Sequence, residues 1–282
     1  MYKKGDFHLH TNYSDGKYSP KEIIALTKKT DIDIIAITDH DTVAGTKEIV
    51  AIGMENNIKV IPGIELTTSK NGENIHVLGY FKNESQISQD FRDYLDERKI
   101  ERLKRAEEIL CRLDKFFSIK LNMDKIMQNT NGVIARPHIA KAIIEEGYNF
   151  EWSYIFHNII GKNSLAYVPN KKISTEEGLE LLNSVDALKI LAHPVLIKKN
   201  NVEDLLKLEF DGIEAVYHLN SAEDTKKFLQ LAKDSRKIIT AGSDFHGLVK
   251  TDTLHSERIG TVYLEEIEIN IFLNKLNKKG MQ

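Results

Sequence analysis

The sequence predicts an α/β fold in which strand–helix units are interrupted by a helical insertion. Three observations lead there. Short apolar runs recur in both halves of the chain, most end at a histidine or carboxylate, and residues 85–165 are dense in charge and lack strand signals.

Taken in order, Gly5-Asp6-Phe7 opens a first strand that delivers His8 and His10, two apart and therefore on one face. Ser19-Pro20-Lys21-Glu22 is a capping box with proline at the first helical position, which starts a helix through Ile23, Ile24 and Leu26. Residues 33–38 read as a buried parallel strand ending at Asp39-His40-Asp41, and 46–56 as the next helix. A strand over 59–64 ends at Glu65, and Asn74-Ile75 leads into His76-Val77-Leu78-Gly79-Tyr80. Helical patterns then run through 88–114, 122–130, 137–147 and 151–160, with acids and bases at helical spacing, as at Glu101 and Arg105. Alternation returns at 173, where Ser174 and Glu177 form a second capping box before Leu179, Leu181 and Leu182. Strands ending at His193-Pro194 and at Ser243-Asp244-Phe245-His246 follow, and a helix over 266–278 is the last element. Parallel strands need such helical crossovers. The expected organisation is one α/β domain from 1–84 and 166–282, with 85–165 as a helical insertion over its active-site rim.

Composition narrows the function. A net charge of −3 over 282 residues offers no bulk polycation for long nucleic acid, although a few basic residues can hold a nucleotide or a strand end. The single cysteine, Cys111, excludes an internal disulfide and points to a reducing compartment; Ile109-Leu110-Cys111 reads as a buried helix face. No apolar stretch approaches the roughly 20 residues that span a bilayer, so a cytoplasmic protein without membrane partners is expected. The oligomeric state is open.

In parallel α/β folds the carboxyl ends of the strands converge on one rim, which carries the chemistry. A strand-end histidine taken singly is more often a satisfied core or loop residue. Here His8, His10, Asp15, His40, Glu65, His76, His193, Asp244 and His246 all obey one positional rule. One catalytic zinc usually takes about three protein ligands, so this set points to two or three divalent ions. Imidazole mixed with carboxylate suits manganese, iron or zinc, and the absence of thiolates argues against a structural zinc site. Glu65 is the natural bridge between neighbouring ions, and two ions roughly 3.5–4 Å apart can hold a hydroxide for in-line attack on a phosphoryl ester.

The strings Phe7-His8-Leu9-His10, Ser14-Asp15-Gly16, Ile37-Thr38-Asp39-His40, Gly63-Ile64-Glu65, Ala192-His193-Pro194 and Gly242-Ser243-Asp244-Phe245-His246-Gly247 resemble the polymerase and histidinol phosphatase (PHP) superfamily. The resemblance implies a distorted (β/α)₇ barrel with a trinuclear site; manganese is the ion expected first, with iron and zinc as alternatives. Carried over by position, one ion takes His8, His10, Glu65 and Asp244, a second Glu65, His76 and His193, and a third Asp15, His40 and His246. Asp39 and Asp41 flank His40 and can orient ligands from behind.

The insertion, the string Ala135-Arg136-Pro137-His138-Ile139-Ala140 and Ala166-Tyr167-Val168-Pro169 are similar to the branch that hydrolyses nucleoside 3′,5′-bisphosphates and trims short RNA from its 5′ end. Arg136 precedes a proline at a helix start, where a guanidinium and free N–H groups can grip a phosphate, with His138 beside it. Lys162, between Gly161 and Asn163, is a further candidate of this kind. The sequence departs from that branch after Gly212-Ile213-Glu214: Asn220-Ser221 stands where a histidine is usual, and His218 lies two residues earlier. Either His218 takes over leaving-group protonation or phosphate contact, or Asn220 supplies a neutral hydrogen bond.

The resulting expectation is a metal-dependent phosphoesterase for small nucleotides or short RNA ends, with Glu65 and Asp244 central and no obvious general acid: either a metal ion stabilises the departing alkoxide or His218 protonates it. Three other readings compete: a phosphomonoesterase of histidinol-phosphate type, a non-catalytic PHP module, and a partner-binding stripe at Leu95, Ile109 and Leu113. A nucleobase pocket would need a flat ring, for which Tyr80, Phe81 and Tyr217 are candidates. His157 and His255 read as surface residues.

Overall fold

The computed structural model describes residues 2–128, 134, 136–169, 172–247 and 256–280. The chain divides into two compact units, one formed by residues 1–92 with 172–282 and the other by 93–171.

Among the described residues the first unit carries all nine strands: β1 (Lys4–Leu9), β2 (Ile34–Ile37), β3 (Lys59–Lys70), β4 (Glu73–Tyr80), β5 (Ile173–Ser174), β6 (Leu188–Leu191), β7 (Gly212–Tyr217), β8 (Ile238–Gly242) and β9 (Leu264–Glu265). They form one sheet in the order β8-β7-β6-β4-β3-β2-β1-β9, with β5 on β3. A parallel bridge between Leu9 and Phe245, with His10 N donating to Phe245 O at 3.0 Å, joins the end of β1 to the segment that follows β8. The result is the α/β architecture expected, a nearly closed, distorted barrel. Helices α1 (Pro20–Thr27), α2 (Thr46–Glu55), α7 (Thr175–Asn183), α8 (Val202–Leu205), α9 (Ala222–Asp234) and α10 (Glu266–Asn277) accompany it.

One strand breaks the expected βα rhythm. β4 runs antiparallel to both β3 and β6, because Lys70 pairs with Glu73 across the two-residue turn Asn71-Gly72. Both turn residues have positive φ, 51° and 73°, as a tight hairpin of this hand requires. His76 therefore reaches the rim from the first half of its strand, opposite Thr67, and not from a carboxyl end.

Strand alternation sorts the core into two layers. On β2, Ile34 and Ala36 join a cluster with Phe7, Tyr80, Ile190 and the α10 residues Ile269, Phe272 and Leu276. Ile35 and Ile37 instead pack with Ile23, Ile24 and Ile49 of α1 and α2. Both expected capping boxes are present, at Ser19–Glu22 and Ser174–Glu177, and Ser221–Asp224 forms a third at the start of α9. Replacing Ser174 with alanine should cost about 1 kcal/mol through the lost cap, and a thermal melt should move down by roughly 2–4 °C.

The second unit is helical. Most of α3 (Gln89–Phe117) lies in it, followed by α4 (Met123–Gln128), α5 (Arg136–Glu145), the short α6 (Trp152–Tyr154) and a π-helical turn over Ile155–Ile159. Ile109, Leu113, Ile126, Ile139, Ile143 and Ile155 form its core. Leu95, Ile109 and Leu113 are buried, so they make no exposed partner stripe, whereas Cys111 is exposed, contrary to expectation. The buried face of α3 runs through Ala106, Ile109 and Leu113, and Cys111 falls outside it. No helix among the described residues is long and apolar enough to cross a membrane.

Candidate metal centre

Six histidines and three carboxylates meet at the rim of the sheet. The ligand atoms of His8, His10, Glu65 and Asp244 lie within 4.8 Å of one another, as do those of His10, Asp15, His40 and His246, and those of His40, Glu65 and His76. His10, His40 and Glu65 each belong to two of these sets. In the third, His40 stands where sequence reasoning placed His193, and His193 sits on the same Glu65 oxygen as His76: Nε2 is 2.9 Å from Oε1, and His76 Nδ1 is 2.6 Å away.

Local backbone explains how these side chains reach one point. Strand alternation turns His8 and His10 to the same side, and the pairing of β1 with β2 breaks register between Asp6 and Leu9. The Asp15 turn folds back on β1 so tightly that a Cβ on Gly16 would lie 2.6 Å from His10 O. His40 bridges to Glu65 beyond the end of β2. His193 (φ 25°) and Asp244 (φ 51°) sit in the left-handed region immediately after β6 and just beyond β8. Such conformations are costly for non-glycine residues and persist where the surrounding structure over-determines them.

The donor set fits divalent cations. His10 Nε2 lies 3.2 Å from Glu65 Oε2 and 3.1 Å from Asp244 Oδ1, and His40 Nδ1 lies 3.2 Å from Glu65 Oε2. Yet His10 Nε2, His40 Nδ1 and Asp244 Oδ1 are buried and have no hydrogen-bond partner among the described residues. Donor atoms that converge without satisfying one another are arranged for a shared cation. Burial opposes ionisation of Glu65 and Asp244, but the surrounding histidines outweigh it and hold both carboxyls well below the usual range. Burial likewise pushes the His10 imidazole down, and Asp244 and Glu65 reverse this, raising it to about 10. For His40 burial wins, lowering it to about 4.

The other predicted residues fall in different places. His218 is half-buried just past β7, its ring 4.6 Å from Tyr217, which in turn is 5.5 Å from His193. Asn220 uses its amide to close the turn into α9, donating to Ala215 O at 2.9 Å and Thr225 Oγ1 at 3.3 Å, while its Oδ1 is buried without a partner among the described residues. Arg136 is the first residue of α5 and is half-buried, His138 lines a cleft with Lys125, Lys141 and Glu146, and Lys162 is solvent-exposed. His157 is a helix-surface residue bonded to Ser153 O, and His255 and Ala135 lie outside the described residues. Asp39 holds the loop after β1, accepting from Thr11 N and Ser14 Oγ at 2.7 Å each, and Asp41 accepts from Thr67 N.

The expectation of a stacking ring is corrected. Tyr80 and Phe81 are fully buried core rings, and Tyr217 is 2% exposed with its hydroxyl donating to Asp244 Oδ2 at 2.8 Å, so none offers a stacking face. Sequence reasoning also passed over Glu214. This fully buried carboxylate accepts from His8 Nδ1 at 2.9 Å and from His193 N at 2.7 Å. Its only sequence signal is a charge inside an otherwise apolar strand.

A barrel rim bearing overlapping imidazole–carboxylate sets defines a metal-dependent hydrolase. The chain belongs to the PHP family, whose domain model matches residues 6–241. It is a metal-dependent phosphoesterase, a hydrolase of phosphoric esters. A 5′-3′ exoribonuclease of Haemophilus influenzae is 27% identical over 252 residues, 87% of this chain and 91% of that protein. A 3′,5′-nucleoside bisphosphate phosphatase of Chromobacterium violaceum is 25% identical, covering 86% of each. A candidate metal-dependent phosphoesterase from Bifidobacterium adolescentis shares the fold, with a TM-score of 0.79 over 96% of each chain at 23% identity.

Proposed function

We propose that this phosphoesterase acts on small nucleotides, namely nucleoside 3′,5′-bisphosphates or the 5′ ends of short oligoribonucleotides. Relatives named for those two activities align over 86–87% of the chain. On the structural side, the helical unit supplies the guanidinium groups of Arg105 and Arg136. Burial first, and then the neighbouring Arg136 charge, hold the Arg105 guanidinium below its usual range, while Arg105 Nε is fixed on Val168 O at 2.9 Å. Guanidinium groups match phosphate oxygens in a planar fork, which suits them to hold a phosphate.

In this reading the nine rim ligands hold two or three divalent ions, manganese by preference. When bound, the ions neutralise developing phosphoryl charge and make water a competent nucleophile at neutral pH. Glu65 and Asp244 hold the ligand rings in register. Arg136, with His138 and Lys162, holds a substrate phosphate, and His218 delivers a proton to the departing alkoxide, with Asn220 Oδ1 as a neutral acceptor nearby in sequence.

The test is phosphate release by the manganese-loaded protein from adenosine 3′,5′-bisphosphate, AMP and histidinol phosphate side by side. The bisphosphate should be turned over selectively. Arg136→Ala should lower kcat/KM for it by roughly 10–100-fold, the worth of a charge-assisted contact. Turnover of histidinol phosphate alone, or indifference to Arg136, would overturn the substrate assignment.

A further inference from the structure

Glu214 is a fully buried carboxylate that belongs to none of the three ligand sets, yet it touches two of the candidate ligands at once. Its Oε1 accepts from His8 Nδ1 at 2.9 Å, and its Oε2 accepts from the backbone N–H of His193 at 2.7 Å. The two histidines come from strands on different sides of the β4 hairpin, and His193 has the unfavourable φ of 25°. The space for this contact depends on a glycine: a Cβ on Gly242 would lie 2.2 Å from Glu214 Oε1 and 2.3 Å from His8 Cβ.

We propose that Glu214 is the positioning residue of the metal centre, one carboxylate that fixes the His8 ring and the His193 backbone together. By accepting from Nδ1–H it selects the tautomer in which His8 Nε2, 3.1 Å from Glu65 Oε2 and 3.4 Å from Asp244 Oδ1, faces the centre with a free lone pair. At His246 this task falls to the main chain: His246 Nδ1 donates to Asp244 O at 2.9 Å, leaving Nε2 3.1 Å from Asp15 Oδ1. At His8 a side chain has the role, and the same side chain holds the distorted turn that carries His193. Loss of Glu214 therefore disturbs ligands on both sides of Glu65 together. The proposal rests on the ligand assignment above and is independent of the substrate.

The experiment compares Glu214→Gln and Glu214→Asp with the unaltered protein for manganese retention against a competing chelator, read as metal content per chain. Glutamine has one oxygen and can satisfy only one of the two donors. Glu214→Gln should weaken retention by about 10–100-fold, the range found when a ligand's outer hydrogen-bond partner is lost. Aspartate keeps the charge but falls one methylene short, and should give an intermediate loss. In both variants the metal concentration needed for half-maximal activity should rise more than kcat falls. Glu73→Ala serves as the structural control. Glu73 accepts from the backbone of Lys198, Lys199 and Asn200 and touches no histidine ring, so its loss should lower the melting temperature and leave retention unchanged.

Wild-type retention in folded Glu214→Gln would overturn the proposal. Should that variant fail to fold, histidine-selective ¹⁵N spectra of the zinc-loaded natural chain decide: His8 protonated on Nδ1 supports it, and a proton on Nε2 overturns it. A natural chain that retains no divalent ion at all sinks the ligand assignment and this proposal with it. A wrong nucleotide assignment would alter none of these readouts.

Discussion

Glu65→Ala should strip the centre of most of its metal and reduce phosphoesterase turnover by about 10³-fold or more, beyond the 10–100-fold expected for an outer-shell partner. The size follows from its contacts. Oε2 lies 3.1, 3.2 and 3.2 Å from His8, His10 and His40, and Oε1 lies 2.6 and 2.9 Å from His76 and His193. No other residue in the centre touches as many of its histidines. Removing it takes a carboxylate from two ligand sets and leaves five rings, three buried and two half-buried, without their common partner. Metal content per chain and turnover should fall together, while the circular dichroism of the barrel stays close to that of the natural protein. A variant that keeps its metal and most of its rate would show that the centre is organised around another residue.

The largest effect on stability is expected at Phe272. Its ring packs 4.5 Å from Phe7 and 5.1 Å from Tyr80, whose hydroxyl is tied to Phe7 O at 2.8 Å, so α10, β1 and β4 are joined through three aromatic rings. Phe272→Ala leaves a cavity among fully buried groups and should cost about 3–5 kcal/mol. Against a typical total of roughly 5–15 kcal/mol, that is a large share of the fold's margin. Urea unfolding should show the midpoint dropping with little change in slope. A shift below about 1 kcal/mol would mean that α10 repacks over the gap.

The rim was legible in the sequence because its residues break a strong pattern. His40, Glu65, His193 and Asp244 each follow a run of apolar residues that can only be a buried strand, and polar groups at such places stand out. Glu214 escaped for the opposite reason. It sits in the middle of β7, where one charge among apolar neighbours looks like a solvent-facing position, and only the fold shows its burial. The β3–β4 hairpin was written in Asn71-Gly72, the turn pair that favours positive φ at both positions, but the histidine at 76 drew the segment into the strand-end rule. At Ser221–Asp224 the third capping box has aspartate in place of the usual glutamate, which hid it. The three aromatic rings offered as stacking faces were misplaced because a ring's identity says nothing about which way its strand turns it.

The contact that closes the sheet also sets the order in which the centre can come into being. Asp6 accepts from Ser243 N across 237 positions of the chain, and Leu9 meets Phe245 beside it. A growing polypeptide that has made His8 and His10 has only a fragment of the site until synthesis passes residue 246. The barrel must therefore close late, by one of the longest-range contacts the sequence contains, and such non-local pairing is slow. The full set of rim ligands, drawn from both ends of that span, stands together only once this closure has formed.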